Sequence, residues 1–111
     1  MKRIEAFVQP HRLSKIVSAL HALPHFPGFT VIDAHGQGQG RGSGGHYAYG
    51  ESPGLLYHER CALVIVCDDG EADEIARTIA EAAHTGNRGD GIVVVSEVAS
   101  MRRAREQGPT P

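Results

Sequence analysis

No stretch of this chain approaches the roughly 20 consecutive apolar residues of a membrane-spanning helix, and no signal peptide opens it. A soluble, cytoplasmic protein is therefore expected. Cysteine is scarce, with only Cys61 and Cys67. If both lie on one strand, a rise of about 3.3 Å per residue separates their Cα atoms by roughly 20 Å, far beyond disulfide reach. Their spacing matches no zinc knuckle either. A net charge of −2 provides no broad cationic surface, so nucleic acid is not expected as a partner. The phosphate-loop pattern G-x-x-x-x-G-K-[ST] occurs nowhere, and no Ser-His-Asp or Cys-His constellation stands out. We expect no enzyme and no catalytic residue.

What remains is an ordinary globular composition, 41% hydrophobic and 22% charged, in 111 residues. That length supports one domain with one core. Arg3 to Gln9 alternates, with Ile4, Ala6 and Val8 on one face and Phe7 as the exception, which is a half-buried strand. Pro10 suits a helix entry, and Leu13, Ile16, Val17, Leu20 and Leu23 then follow helical spacing. Phe29 to Ala34 is short and rich in β-branched residues, a second strand. Arg60 to Cys67 is apolar on both faces and reads as a central strand. Acids at Asp68, Asp69 and Glu71 favour a helix N-terminus, with Asp68 and Asp69 as the N-cap. Ala72, Ile75, Ala76, Ile79, Ala82 and Ala83 line the helix and Gly86 caps it. Gly91 to Val98, with its run Ile92 to Val95, reads as a buried fourth strand. The order β-α-β-loop-β-α-β predicts an α+β, ferredoxin-like βαββαβ sandwich, with a four-stranded antiparallel sheet carrying two helices on one face.

Two glycine-rich stretches stand apart. Residues 36–50 hold seven of the fourteen glycines, and the loop they begin runs to about Leu56. A loop of that length inside a small domain usually carries function. Gly40-Arg41-Gly42-Ser43-Gly44-Gly45 satisfies G-x-G-x-x-G literally, but His46-Tyr47-Ala48-Tyr49 follows where a dinucleotide site needs a helix. The second stretch, Thr85-Gly86-Asn87-Arg88-Gly89-Asp90-Gly91, joins the second helix to the last strand. Its exposed amides can form a concavity for anions, phosphate above all. A helix cap followed by a tight turn explains the same residues without a ligand.

With these features in place, the chain resembles the PII signal-transduction family over residues 1–105, with residues 106–111 as a disordered tail. The resemblance rests on Met1-Lys2-Arg3-Ile4-Glu5-Ala6 with Pro10, on Gly28-Phe29-Thr30-Val31, and on the exit Gly36-Gln37-Gly38. It rests also on residues 85–91, which match the family's B-loop, and on Arg103 and Arg105. Residues 37–56 fall where the family has its T-loop. The resemblance implies a homotrimer binding ATP, ADP or AMP in clefts between subunits. It also implies a T-loop that docks on a regulated protein, often a membrane transporter. Residue by residue, Gly89, Asp90 and Gly91 would cradle phosphate, with Arg88 beside them. Arg103 and Arg105 would add charge-assisted hydrogen bonds. Thr30 and Ile65 would meet adenine, and Gly36, Gln37 and Gly38 would line the loop base.

The departures from the family pattern are specific. The lysine that follows the last B-loop glycine is Ile92 here, and the lysine at the foot of the T-loop aligns with Glu59. The glutamine that helps hold magnesium between ATP and 2-oxoglutarate aligns with Gly40, although Gln39 is adjacent. Only Lys2 and Lys15 remain in the chain. Weakened or absent ATP–2-oxoglutarate synergy is expected, and ADP or AMP, with less negative charge, becomes a plausible ligand. Tyr47 and Tyr49 are out of frame with the tyrosine that enteric members modify. The alternative is a metal-responsive trimer tied to heavy-metal efflux or tolerance, with His35, His46 and His58 holding a transition metal and Glu51 or Glu59 joining them.

Overall fold

A computed structural model describes residues 1–37 and 58–106. These residues form β1 (Lys2–Val8), a 3-10 turn (Pro10–Arg12), α1 (Leu13–His21), β2 (Thr30–Gly36), β3 (His58–Cys67), α2 (Asp69–Ala83) and β4 (Gly91–Glu97). The strands make one sheet in the order β2-β3-β1-β4, with every neighbouring pair antiparallel. This is the expected ferredoxin-like arrangement. The expected loop 37–56 lies, apart from Gln37, outside the described residues, as does the expected tail apart from Glu106. Among the described residues no helix is long and apolar enough to cross a membrane.

The period of two along β1 decides where the core sits. Ile4, Ala6 and Val8 are buried and stand opposite Ile65, Leu63 and Cys61 of β3. Ile16 and Leu20 of α1, with Ile75 and Ile79 of α2, close over that face. Each of these large side chains contributes roughly 2 kcal/mol by leaving water. Phe7, the exception to the alternation, lies on the opposite face beside Ala62 and Ile92.

Three local expectations change. Pro10 opens a 3-10 turn, closed by the Arg12 amide donating to Gln9 O at 3.0 Å, and α1 begins only at Leu13. Asp68 occupies the N-cap of α2, yet its side chain makes no capping hydrogen bond. The Asp69 carboxylate instead pairs with the Met1 amine at 2.8 Å, and that hydrogen bond holds its pKa below the ordinary value. Gly86 does not cap α2, because the helix stops at Ala83 and His84 is already extended (φ −68°, ψ 128°).

The end of α2 is capped from outside by Arg12. Its Nε and Nη2 donate to Ala82 O at 3.1 and 2.8 Å, and Nη2 reaches His84 O at 3.5 Å. A guanidinium here satisfies terminal carbonyls and opposes the negative end of the helix dipole. Arg12→Ala should therefore lower stability by about 1–2 kcal/mol in urea melts, with the fold retained. A change within a few tenths of a kcal/mol would show that water replaces the cap at no loss.

β4 departs furthest from expectation. It is an edge strand, and Ile92 (59% exposed), Val94 and Val95 are uncovered in the single chain. The two helices shield only one side of the sheet. The other side presents Ile32, Val66, Ile92 and Val94 to solvent around the half-buried Phe7 and Val64.

Candidate functional site

The glycine turn between α2 and β4 is built around Asp90. Its Oδ2 accepts from the amides of Thr85 and Gly86 at 2.7 and 3.0 Å. Its Oδ1 accepts from the Thr85 hydroxyl, and that hydroxyl in turn accepts from the Asn87 amide at 3.1 Å. The Thr85 hydroxyl and then the Thr85 amide hold the Asp90 pKa below the ordinary carboxylate value, with the Gly86 amide and nearby His84 adding to the effect. His84 Nδ1 stands 3.5 Å from Oδ2. The first half of the turn is thus an anion nest already filled by the chain's own carboxylate.

The second half is fixed from the sheet. Gly89 has φ +86°, and its carbonyl accepts from Gln9 Nε2 at 2.8 Å. Among the described residues no hydrogen bond takes up the Arg88 or Gly89 amide. Gly91 has φ +107°, and a Cβ there would lie 1.9 Å from Phe7 O, so β4 meets β1 at a point that admits no side chain. Arg60 reaches in from β3: Nη1 donates to Glu59 O at 2.9 Å, while Nη2 lies 3.3 Å from where a Cβ on Gly89 would be.

The other expected site residues fall at different places. Thr30 is exposed on β2, and Gly36 ends that strand opposite His58. Gln37 is exposed just beyond, and Gly38 lies outside the described residues. Ile65 is only 2% exposed and points into the core, so a ligand at the sheet could meet its main chain but not its side chain. Arg88 is exposed and forms no ion pair among the described residues. Arg103 and Arg105 are exposed beyond β4, where the Glu106 amide donates to Arg103 O at 3.0 Å. Within the single chain no described hydrogen bond or ion pair joins either arginine to the turn.

Of the three histidines, the two that are described, His35 and His58, do not come together. His35 stands opposite Glu59 and His58 opposite Gly36, so strand alternation sends the two rings to opposite faces. His46 lies outside the described residues. Among the described residues no three His, Cys, Asp or Glu side chains converge as metal ligands. Cys61 and Cys67 are free and buried in one strand, and burial pushes both thiols above their ordinary pKa. Gln9 was not expected at the site. Only the sheet order, which sets β4 beside β1, brings it to the turn.

A split βαββαβ sheet hosts many functions, and comparison with known proteins narrows the choice. The family model for the nitrogen regulatory protein P-II matches residues 1–108. The nitrogen regulatory protein P-II of Azospirillum brasilense is 32% identical over 105 residues, covering 95% of this chain and 92% of the relative. A nifHD-region GlnB-like protein 1 of Methanothermobacter marburgensis is 33% identical over 111 residues, covering 97% and 99%. Its counterpart from Methanothermococcus thermolithotrophicus is 35% identical over 106 residues, covering 95% and 94%. The chain belongs to the P-II family of nitrogen regulatory proteins. It is a signalling regulator and not an enzyme.

Proposed function

We propose that this chain works as a cytoplasmic homotrimer that binds an adenine nucleotide at the boundary between subunits. The segment 37–56 then acts on a partner protein, a membrane transporter in this reading. One observation carries it: the uncovered apolar side of the sheet runs directly into the glycine turn, since Ile92 follows Gly91 without a break. A second subunit that buries Ile32, Val66, Ile92 and Val94 would bring its own groups up to that turn. The cleft then gains donors that a single chain lacks, with Arg103 and Arg105 as the cations. Ile92 and Glu59, where the family pattern has lysines, favour ADP or AMP over a triphosphate held together with 2-oxoglutarate.

Light scattering on the purified chain should give three times the 11.9 kDa protomer mass. Val94→Glu places a charge on the surface to be buried, at a cost of several kcal/mol per subunit. It should reduce the mass to one protomer at micromolar concentration and abolish nucleotide binding with it. A monomeric wild-type chain, or a monomeric Val94→Glu variant that binds adenylate normally, would overturn the inter-subunit site.

A further inference from the structure

We propose that Arg60 is the cation through which the chain's own sheet holds the ligand's phosphates. This rests on the nucleotide-binding reading above and names a residue for it. The register places Cys61 opposite Val8 and Val8 opposite Gly91. One step beyond that row come Arg60, Gln9 and the turn, side by side across the end of the sheet. Gln9 Nε2 fixes the Gly89 carbonyl at 2.8 Å, and Arg60 Nη2 lies 3.3 Å from where a Cβ on Gly89 would be. Glycine suits this position through its positive φ, and a Cβ here would move the guanidinium by only a few tenths of an ångström.

Among the described residues the charge of Arg60 is not taken up by an acid. One of its nitrogens donates to Glu59 O. The other cations compare poorly. Arg3 is paired with Glu5, Lys2 with Glu97, and Arg12 is committed to the α2 carbonyls. Arg88 is exposed, and no described contact positions it. Asp90, the nearest acid of the turn, directs both carboxylate oxygens to Thr85 and Gly86, away from Arg60's part of the turn. Ile92, the next residue of β4, brings no cation. A half-buried guanidinium beside free Arg88 and Gly89 amides presents a planar set of N–H groups suited to phosphate oxygens.

Titrating ADP and adenosine calorimetrically into the wild-type chain, Arg60→Gln and Arg60→Lys tests this. Arg60→Gln should weaken ADP about tenfold or more and leave adenosine unchanged. Arg60→Lys, which keeps the charge but loses the planar fork, should fall between the two, and it carries the test alone if the glutamine variant does not fold. Wild-type ADP affinity in both variants would overturn the role of Arg60 while leaving nucleotide binding intact. Equal losses for ADP and adenosine would overturn it too, as a general disturbance of the cleft. A wild-type chain that binds no ADP would remove both this role and the reading beneath it.

Discussion

Gly91→Ala is expected to destabilise the folded chain by about 3–5 kcal/mol, one of the largest effects available to a single methyl group here. Two costs combine. The backbone sits at φ +107°, where L side chains are strained, and the new Cβ would approach Phe7 O to 1.9 Å. Relief requires β4 to withdraw from β1, which loosens the edge strand that leads out of the turn. Gly86→Ala is the control, since its φ is also positive (+87°) but nothing lies closer than 3.9 Å to the added atom. That change should cost only about 1–2 kcal/mol. Urea unfolding at matched protein concentration separates the two, because association contributes to stability. Equal costs at both positions would mean that the strand contact is not the source.

The second large effect concerns binding. Removing Arg103 and Arg105 together should reduce adenylate affinity at least 100-fold while leaving the oligomer mass unchanged. A hydrogen bond to a charged group is worth about 1.5–3 kcal/mol, so two arginines supply roughly 3–6 kcal/mol. Both are exposed beyond β4, with no described contact to the turn in their own chain. In the proposed trimer they would act on the phosphates from the assembled cleft. Unchanged affinity in the double variant would refute the clamp.

Much of the fold was legible because periodicity responds to burial. Ile4, Ala6 and Val8, the doubly apolar β3 and the stripe of α2 each mark a core-facing side in the sequence itself. What failed to show was whatever depends on elements distant in sequence. Ile92 to Val95 looked buried because the residues are apolar, yet β4 is an edge strand that leaves Ile92, Val94 and Val95 exposed. Gly86 looked like a helix cap because glycine marks left-handed backbone, but that conformation serves the turn, and the α2 carbonyls went to Arg12, about 70 residues earlier in the chain. The glycine turn was found from composition and family pattern together. That Asp90 fills its first half, and that Gln9 and Arg60 border the second, follows from side-chain geometry and sheet order that no local pattern encodes.

Binding of an adenine nucleotide by the intact protein is the point from which the rest extends, and thermal unfolding with ATP, ADP or AMP at millimolar concentration reads it without labels or partners. A ligand at 100 times its dissociation constant stabilises the folded state by about 2.7 kcal/mol, so at least one adenylate should raise the melting temperature by several degrees, and the rise should vanish in the Arg103 and Arg105 double variant. A melting temperature indifferent to all three nucleotides would contradict nucleotide sensing by this chain.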